Sequence, residues 1–120
     1  MHSNILVVED DSTLRELTAD GLASLPDVVV TSCANADEAF YLLNKGFKAS
    51  LVFTDIHMPG ALDGLDLARE IWRRWPHLPV VLTSGDAVIA IDTLPANAGF
   101  MAKPWTLTDL MTTIGKYLHS

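Results

Sequence analysis

The feature that most restricts the fold of this chain is an alternation. Five short apolar runs, at residues 4–8, 28–33, 51–54, 80–83 and 100–102, are separated by stretches whose apolar residues recur at helical spacing. The runs are too short for helices and most are rich in β-branched residues. They carry no polar alternation, which is the pattern of strands covered on both faces, as in a parallel sheet. Between them, Leu14, Leu17, Leu22 and Leu25 form one helical stripe. Ala39, Phe40 and Leu43 form a second, Leu65, Ala68, Ile71 and Trp72 a third, and Leu107, Leu110, Met111, Ile114 and Leu118 another. The end signals agree: Ser12 or Asp11 caps the first helix, Asn35 with Glu38 the second and Thr106 with Asp109 the last, while Gly46 and Pro76 sit where helices should stop. The segment 87–94 is the weakest, with a short stripe and Pro95 immediately after it. Five strands alternating with five helical segments imply a doubly wound α/β sheet with right-handed crossovers. Function is then expected at the carboxyl edge of the strands, near the point where strand order reverses.

Composition narrows the remaining classes. A chain of 120 residues that is 49% apolar and 19% charged is expected to be one folded domain, 1–120, and not a disordered segment. A single cysteine, Cys33, supports neither a disulfide framework nor a cysteine-based zinc site. The net charge of −7 argues against binding nucleic acid through general electrostatics. No apolar run approaches the ~20 residues of a membrane span, and the N-terminus lacks the basic-then-apolar pattern of a signal peptide. The expected setting is a reducing one, the cytoplasm.

The ends of the apolar runs carry the chemistry. The first is followed by Glu9, Asp10 and Asp11, the third by Asp55, the fourth ends in Thr83 and Ser84, and the fifth is followed by Lys103 and Pro104. If the strands are parallel, acids, hydroxyls and one ammonium meet on one edge. Asp10 and Asp55 as neighbours repel and raise each other's pKa. A hard divalent cation relieves that strain, and one or two carboxylates with several waters describe a Mg²⁺ site. Lys103 adds a fixed positive charge and Thr83 a hydroxyl donor. Such a set suits an incoming phosphoryl group, whose oxygens need charge stabilisation, and Asp55 is a carboxylate placed to accept it.

The stretches ILVVEDD, LVFTDIHMPG with DG close behind, VVLTSG and FMAKPW resemble the receiver domain of two-component response regulators. The resemblance runs through the whole chain in order and spacing. It implies a flavodoxin-like (βα)5 fold with strand order 2-1-3-4-5, the order the receiver fold is known for. It implies that Asp55 is the phosphorylated residue, that Asp10 ligates Mg²⁺ directly and Glu9 mainly through water, and that the backbone carbonyl of His57 is a further ligand. Thr83 matches the switch hydroxyl, Phe100 the aromatic switch position and Lys103 the phosphate-pairing lysine, with Lys103–Pro104 a candidate for a cis bond. The implied partners are a histidine kinase or histidine phosphotransfer protein as donor and a protein target downstream, with no membrane or nucleic acid directly involved. No output domain follows Leu118, so signalling by contact, a phosphate sink or excision from a larger protein are all compatible. On phosphorylation Thr83 is expected to move toward the new group and Phe100 to turn inward, working through packing because it has no hydroxyl.

Two departures from the family pattern stand out. The loop 59–64 is one residue longer than in most receivers, and the stretch from Thr83 to Lys103 is short. The latter resembles a subgroup found alone or appended to hybrid histidine kinases, so dimerisation on the usual face is not expected. His57 and Gly85 occupy positions that bear on phosphoryl lifetime. The simpler readings of other residues are structural: Asp11 as a helix cap, Cys33 as a small buried residue, Trp72 and Trp75 as helix-to-sheet packing, and His2, His57, His77 and His119 as no zinc site. Trp105 is expected near the switch surface. Two other functions fit parts of the pattern. An aspartate-nucleophile, Mg²⁺-dependent phosphohydrolase would use Asp55, but no late second acid or cap is visible. A flavodoxin-like cofactor binder needs a hydroxyl-rich phosphate loop where this chain has acids.

Overall fold

The structure, a computed structural model, describes residues 2–85 and 94–118. In chain order the elements are β1 (Ser3–Val8), α1 (Ser12–Ala23), β2 (Val28–Cys33), α2 (Ala36–Asn44), β3 (Leu51–Asp55), α3 (Gly64–Arg74), β4 (Val80–Ser84), β5 (Ala98–Ala102) and α4 (Leu107–Leu118). All five strands pair in parallel in the order β2-β1-β3-β4-β5. This is the expected flavodoxin-like sheet. The helical segment expected at 87–94 falls, except for Leu94, outside the described residues, as does His119.

β1, β3 and β4 are largely buried on both faces, which explains their unbroken apolar runs, while the edge strand β2 leaves Val29 and Ser32 exposed. One face carries Leu6, Val8, Val52, Val80 and Leu82 against Ala39 and Leu43 of α2 and Leu67, Ala68 and Ile71 of α3. The other carries Ile5, Val7, Leu51, Phe53, Val81 and Met101 against Leu22 of α1 and Leu110 and Ile114 of α4. Trp72 and Trp75 pack against the first cluster, and Cys33 is buried within it. Burial pushes the Cys33 thiol up to about 12, with Glu38 adding to the rise, so it is an inert packing group.

The helix ends follow the side-chain chemistry. Asp11 caps α1 by accepting from Leu14 N, and Asn35 caps α2 by accepting from Glu38 N. Thr106 and Asp109 satisfy each other's backbone N–H groups at the start of α4. Gly46 follows α2 with φ of +96°, a left-handed conformation that favours glycine. α3 begins with a full capping box between Asp63 and Asp66.

Several strands reach further than the apolar runs. β3 continues through Asp55 and β4 through Ser84, because the parallel ladder pairs Asp55 with Thr83 and Ser84 with Ala102 whatever their polarity. β5 begins at Ala98 and includes Gly99, where a side chain would strike the ring of Tyr117 of α4. A small-residue start of this kind is invisible to a search for large apolar runs.

Candidate functional site

At the carboxyl edge the chain brings Glu9, Asp10, Asp55 and Lys103 together. Glu9 and Asp10 follow β1 directly, and Asp55 is the last residue of β3, the neighbouring strand. Carboxylate oxygens of Glu9, Asp10 and Asp55 lie within 4.8 Å of one another. Glu9 and Asp55 are buried and Asp10 is exposed, so the cluster opens to water on one side only.

Lys103, just past β5, reaches across to both buried acids. Its Nζ donates to Glu9 Oε1 at 3.1 Å and to Asp55 Oδ2 at 3.0 Å. The Lys103–Pro104 peptide is cis. Burial alone would lower the Lys103 pKa; the hydrogen bonds with Asp55 and Glu9 outweigh it and leave the ammonium raised. Glu9 behaves oppositely. Burial, with the Asp55 charge and the Asp10 side chain adding to it, pushes Glu9 up to about 7 despite the bond from Lys103. One ammonium therefore does not balance three clustered carboxylates.

That imbalance tests the fit of a cation. The donors are all hard oxygens, the cluster is short of positive charge, and the exposed Asp10 side admits water molecules as further ligands. This chemistry fits an ion of the Mg²⁺ type better than a soft metal.

The backbone around Asp55 is fixed from several directions. Ile56 N donates to Thr83 O at 3.0 Å, and Gly64 N donates to Ile56 O at 2.8 Å. The second bond seats the first residue of α3 directly against the end of β3. A Cβ at Gly64 would collide with the Asp55 carbonyl oxygen, so only glycine permits this approach. The loop 59–64 is tied to α2, because Asp37 Oδ2 accepts from Ala61 N at 3.0 Å. On the other side Arg15 of α1 donates through Nη1 to Glu9 O at 2.9 Å, holding the acidic turn. Asp37 and Arg15 were not singled out from the sequence, and Gly64 entered only as the glycine of the DG pair. Arg15 and Asp37 sit on helix surfaces among other charges and carry no local signal, whereas a glycine straight after the helix cap Asp63 is one.

The remaining expected residues divide. Thr83 stands beside Asp55 in register on β4. Its Oγ1 donates to Met101 O at 2.8 Å and accepts from Trp105 Nε1 at 3.1 Å. Phe100 is half-buried and packs with the cluster on the α2–α3 face, beside Leu82 in register. Strand alternation directs Thr83 to the opposite face, which holds Met101 and Trp105. The His57 side chain is exposed between buried Ile56 and Met58, in the turn that leaves β3. No helix among the described residues is long and apolar enough to cross a membrane.

Comparison with known proteins adds the family. Residues 5–115 match the family model of the response regulator receiver domain. The chain is 36% identical over 111 residues to the C4-dicarboxylate transport transcriptional regulatory protein DctD of Rhizobium meliloti. The match covers 90% of this chain and 24% of DctD. It is 33% identical to the response regulator receiver protein CpdR of Brucella abortus, with 95% of each chain covered. A response regulator receiver protein crystal structure from Sinorhizobium medicae superposes with a TM-score of 0.90 at 26% identity, covering 99% of this chain and 96% of that one. The chain thus spans about a quarter of DctD and nearly all of CpdR.

Proposed function

The chain belongs to the response regulator receiver family, and from that premise we propose that it accepts a phosphoryl group on Asp55. The donor is a histidine kinase or a histidine phosphotransfer protein, the setting is cytoplasmic, and residues 1–120 act as one receiver unit. The observation that carries this reading is the geometry of Asp55: a buried carboxylate held by Lys103, with Glu9 and Asp10 gathered beside it. In the transfer, an Asp55 oxygen bonds phosphorus as the bond from phosphorus to the donor's imidazole nitrogen breaks. The departing nitrogen keeps the bonding electrons and takes up a proton.

Glu9, Asp10, Asp55 and the His57 carbonyl would hold Mg²⁺. When bound, that ion supplies positive charge to the phosphoryl oxygens. Lys103 pairs with the phosphoryl group it already faces, and the Thr83 hydroxyl donates to it once it turns. The protein supplies these groups for its own phosphorylation and its own hydrolysis and is otherwise no enzyme. The output is a changed surface around β5 and α4, with Phe100 contributing through packing, read by a protein target. The comparisons do not favour the phosphohydrolase alternative, since the relatives are receivers and regulators.

Beryllofluoride with Mg²⁺ tests the proposal. It should change the tryptophan fluorescence of the wild type and leave Asp55→Asn unchanged. Identical responses in both proteins, or steady turnover of a phosphomonoester, would overturn it.

A further inference from the structure

We propose that Trp105 is a positioning residue that holds the Thr83 hydroxyl turned toward β5, so that phosphoryl binding at Asp55 must break the indole bond before Thr83 can engage. This inference rests on the receiver reading above. A threonine hydroxyl has one proton to donate and lone pairs to accept with. In Thr83 that proton goes to Met101 O at 2.8 Å, while a lone pair receives the Trp105 indole N–H at 3.1 Å. Thr83 is 2% exposed, so water does not compete for these bonds. To donate to a phosphoryl oxygen, Thr83 must give up the Met101 carbonyl and rotate its side chain, which carries Oγ1 out of reach of Nε1.

The indole is not free to follow. Its ring packs edge-to-face on Phe53 of β3, with centroids 5.8 Å apart and planes at 72°. Trp105 also lies between Lys103, just past β5, and the start of α4 at Leu107. Release of the indole therefore transmits the Thr83 rotation to the β5–α4 junction. Phe100 is not placed for this route, because it packs on the opposite face of the sheet with Leu82. A phenylalanine at 105 would supply the same apolar ring, so the nitrogen is what distinguishes tryptophan here.

The test is isothermal titration of beryllofluoride in saturating Mg²⁺ into the wild type, Trp105→Phe, Thr83→Val and the double variant. Trp105→Phe should bind about two- to tenfold tighter, the equivalent of one neutral hydrogen bond no longer opposing the bound state. In the Thr83→Val background the same substitution should change nothing. The Trp105 indole N–H resonance of the wild type should shift on titration. Equal affinities of wild type and Trp105→Phe overturn the inference and leave the receiver reading standing. An equal gain in the Thr83→Val background also overturns it, because the effect is then one of packing. Absence of binding in the wild type overturns the receiver reading and the inference with it. If Trp105→Phe does not fold, the resonance decides: an indole proton unmoved by beryllofluoride overturns the proposal.

Discussion

The two walls of the acidic site are built from different materials. The wall formed by β1, β3 and the start of α3 is fixed by backbone. Asp55 sits in a parallel ladder, Ile56 and Gly64 exchange main-chain bonds with their neighbours, and Asp63 and Asp66 lock the helix entry. The wall formed by β4, β5 and the approach to α4 meets the site through side-chain tips: Thr83 Oγ1, Lys103 Nζ and Trp105 Nε1. Main-chain ladders resist local change, whereas side-chain bonds can be exchanged one at a time by rotation about a single torsion. Under the proposed function, Asp55 on the rigid wall would keep its geometry while Thr83 and Lys103 on the other wall rearrange.

The largest effect that could break this contrast is at the acceptor itself. Incubation of the wild type with a small-molecule phosphodonor should give a labile phosphoryl adduct by intact mass, and Asp55→Asn should abolish it. A persisting adduct would move the acceptor elsewhere. Next comes the same substitution made on each wall. Gly64→Ala should destabilise the fold by about 3 kcal/mol or more, since its Cβ meets the Asp55 carbonyl. Gly85→Ala should stay within about 0.5 kcal/mol, because among the described residues its Cβ meets only Lys103 Cβ, at an ordinary 3.9 Å. Chemical denaturation midpoints for the pair decide the matter, and equal losses would erase the distinction between the walls.

The pH dependence is smaller. Glu9 is pushed from 4.5 up to about 7 in the folded chain. Between those values the folded state holds a proton that the unfolded state has released, so without divalent cation stability should fall as pH rises from 4.5 to 7. Saturating Mg²⁺ should flatten that slope by favouring the ionised carboxylate. Lys103 acts at the alkaline end: its raised pKa contributes stability below 10.5 that disappears as pH climbs past the folded value. Thermal melts across pH with and without Mg²⁺ check both signs, and a slope that rises between 4.5 and 7 would contradict the first. Smallest of all, His57→Ala should alter phosphoryl lifetime a few-fold, because its exposed side chain stands two residues past Asp55. Identical decay of the two proteins would leave His57 without a part in phosphoryl lifetime.

How much of this was legible in the sequence follows from which forces are local. Strand positions and sheet class were readable because both faces of the sheet demand apolar residues, as in residues 51–54. Caps at Asp11, Asn35 and Thr106 were readable because each bond spans only a turn. Glu9, Asp10, Asp55 and Lys103 could be assigned to one edge once the strands were taken as parallel. The bond from Trp105 to Thr83 could not be read, since it joins the β5–α4 connection to β4 through a single nitrogen. The grip of Asp37 on the loop at Ala61 was hidden for the same reason. β5 was read as starting late because Ala98 and Gly99 are small, and what makes Gly99 necessary is Tyr117 on a different element.

The reach of Lys103 bears on how the molecule is assembled during synthesis. Its two carboxylate partners lie 94 and 48 residues earlier in the chain. A nascent polypeptide can therefore lay down β1 and β3, and crowd their acids together, well before the ammonium that steadies them has left the ribosome. Until Lys103 arrives, Glu9 and Asp55 lack the ammonium that bonds them both.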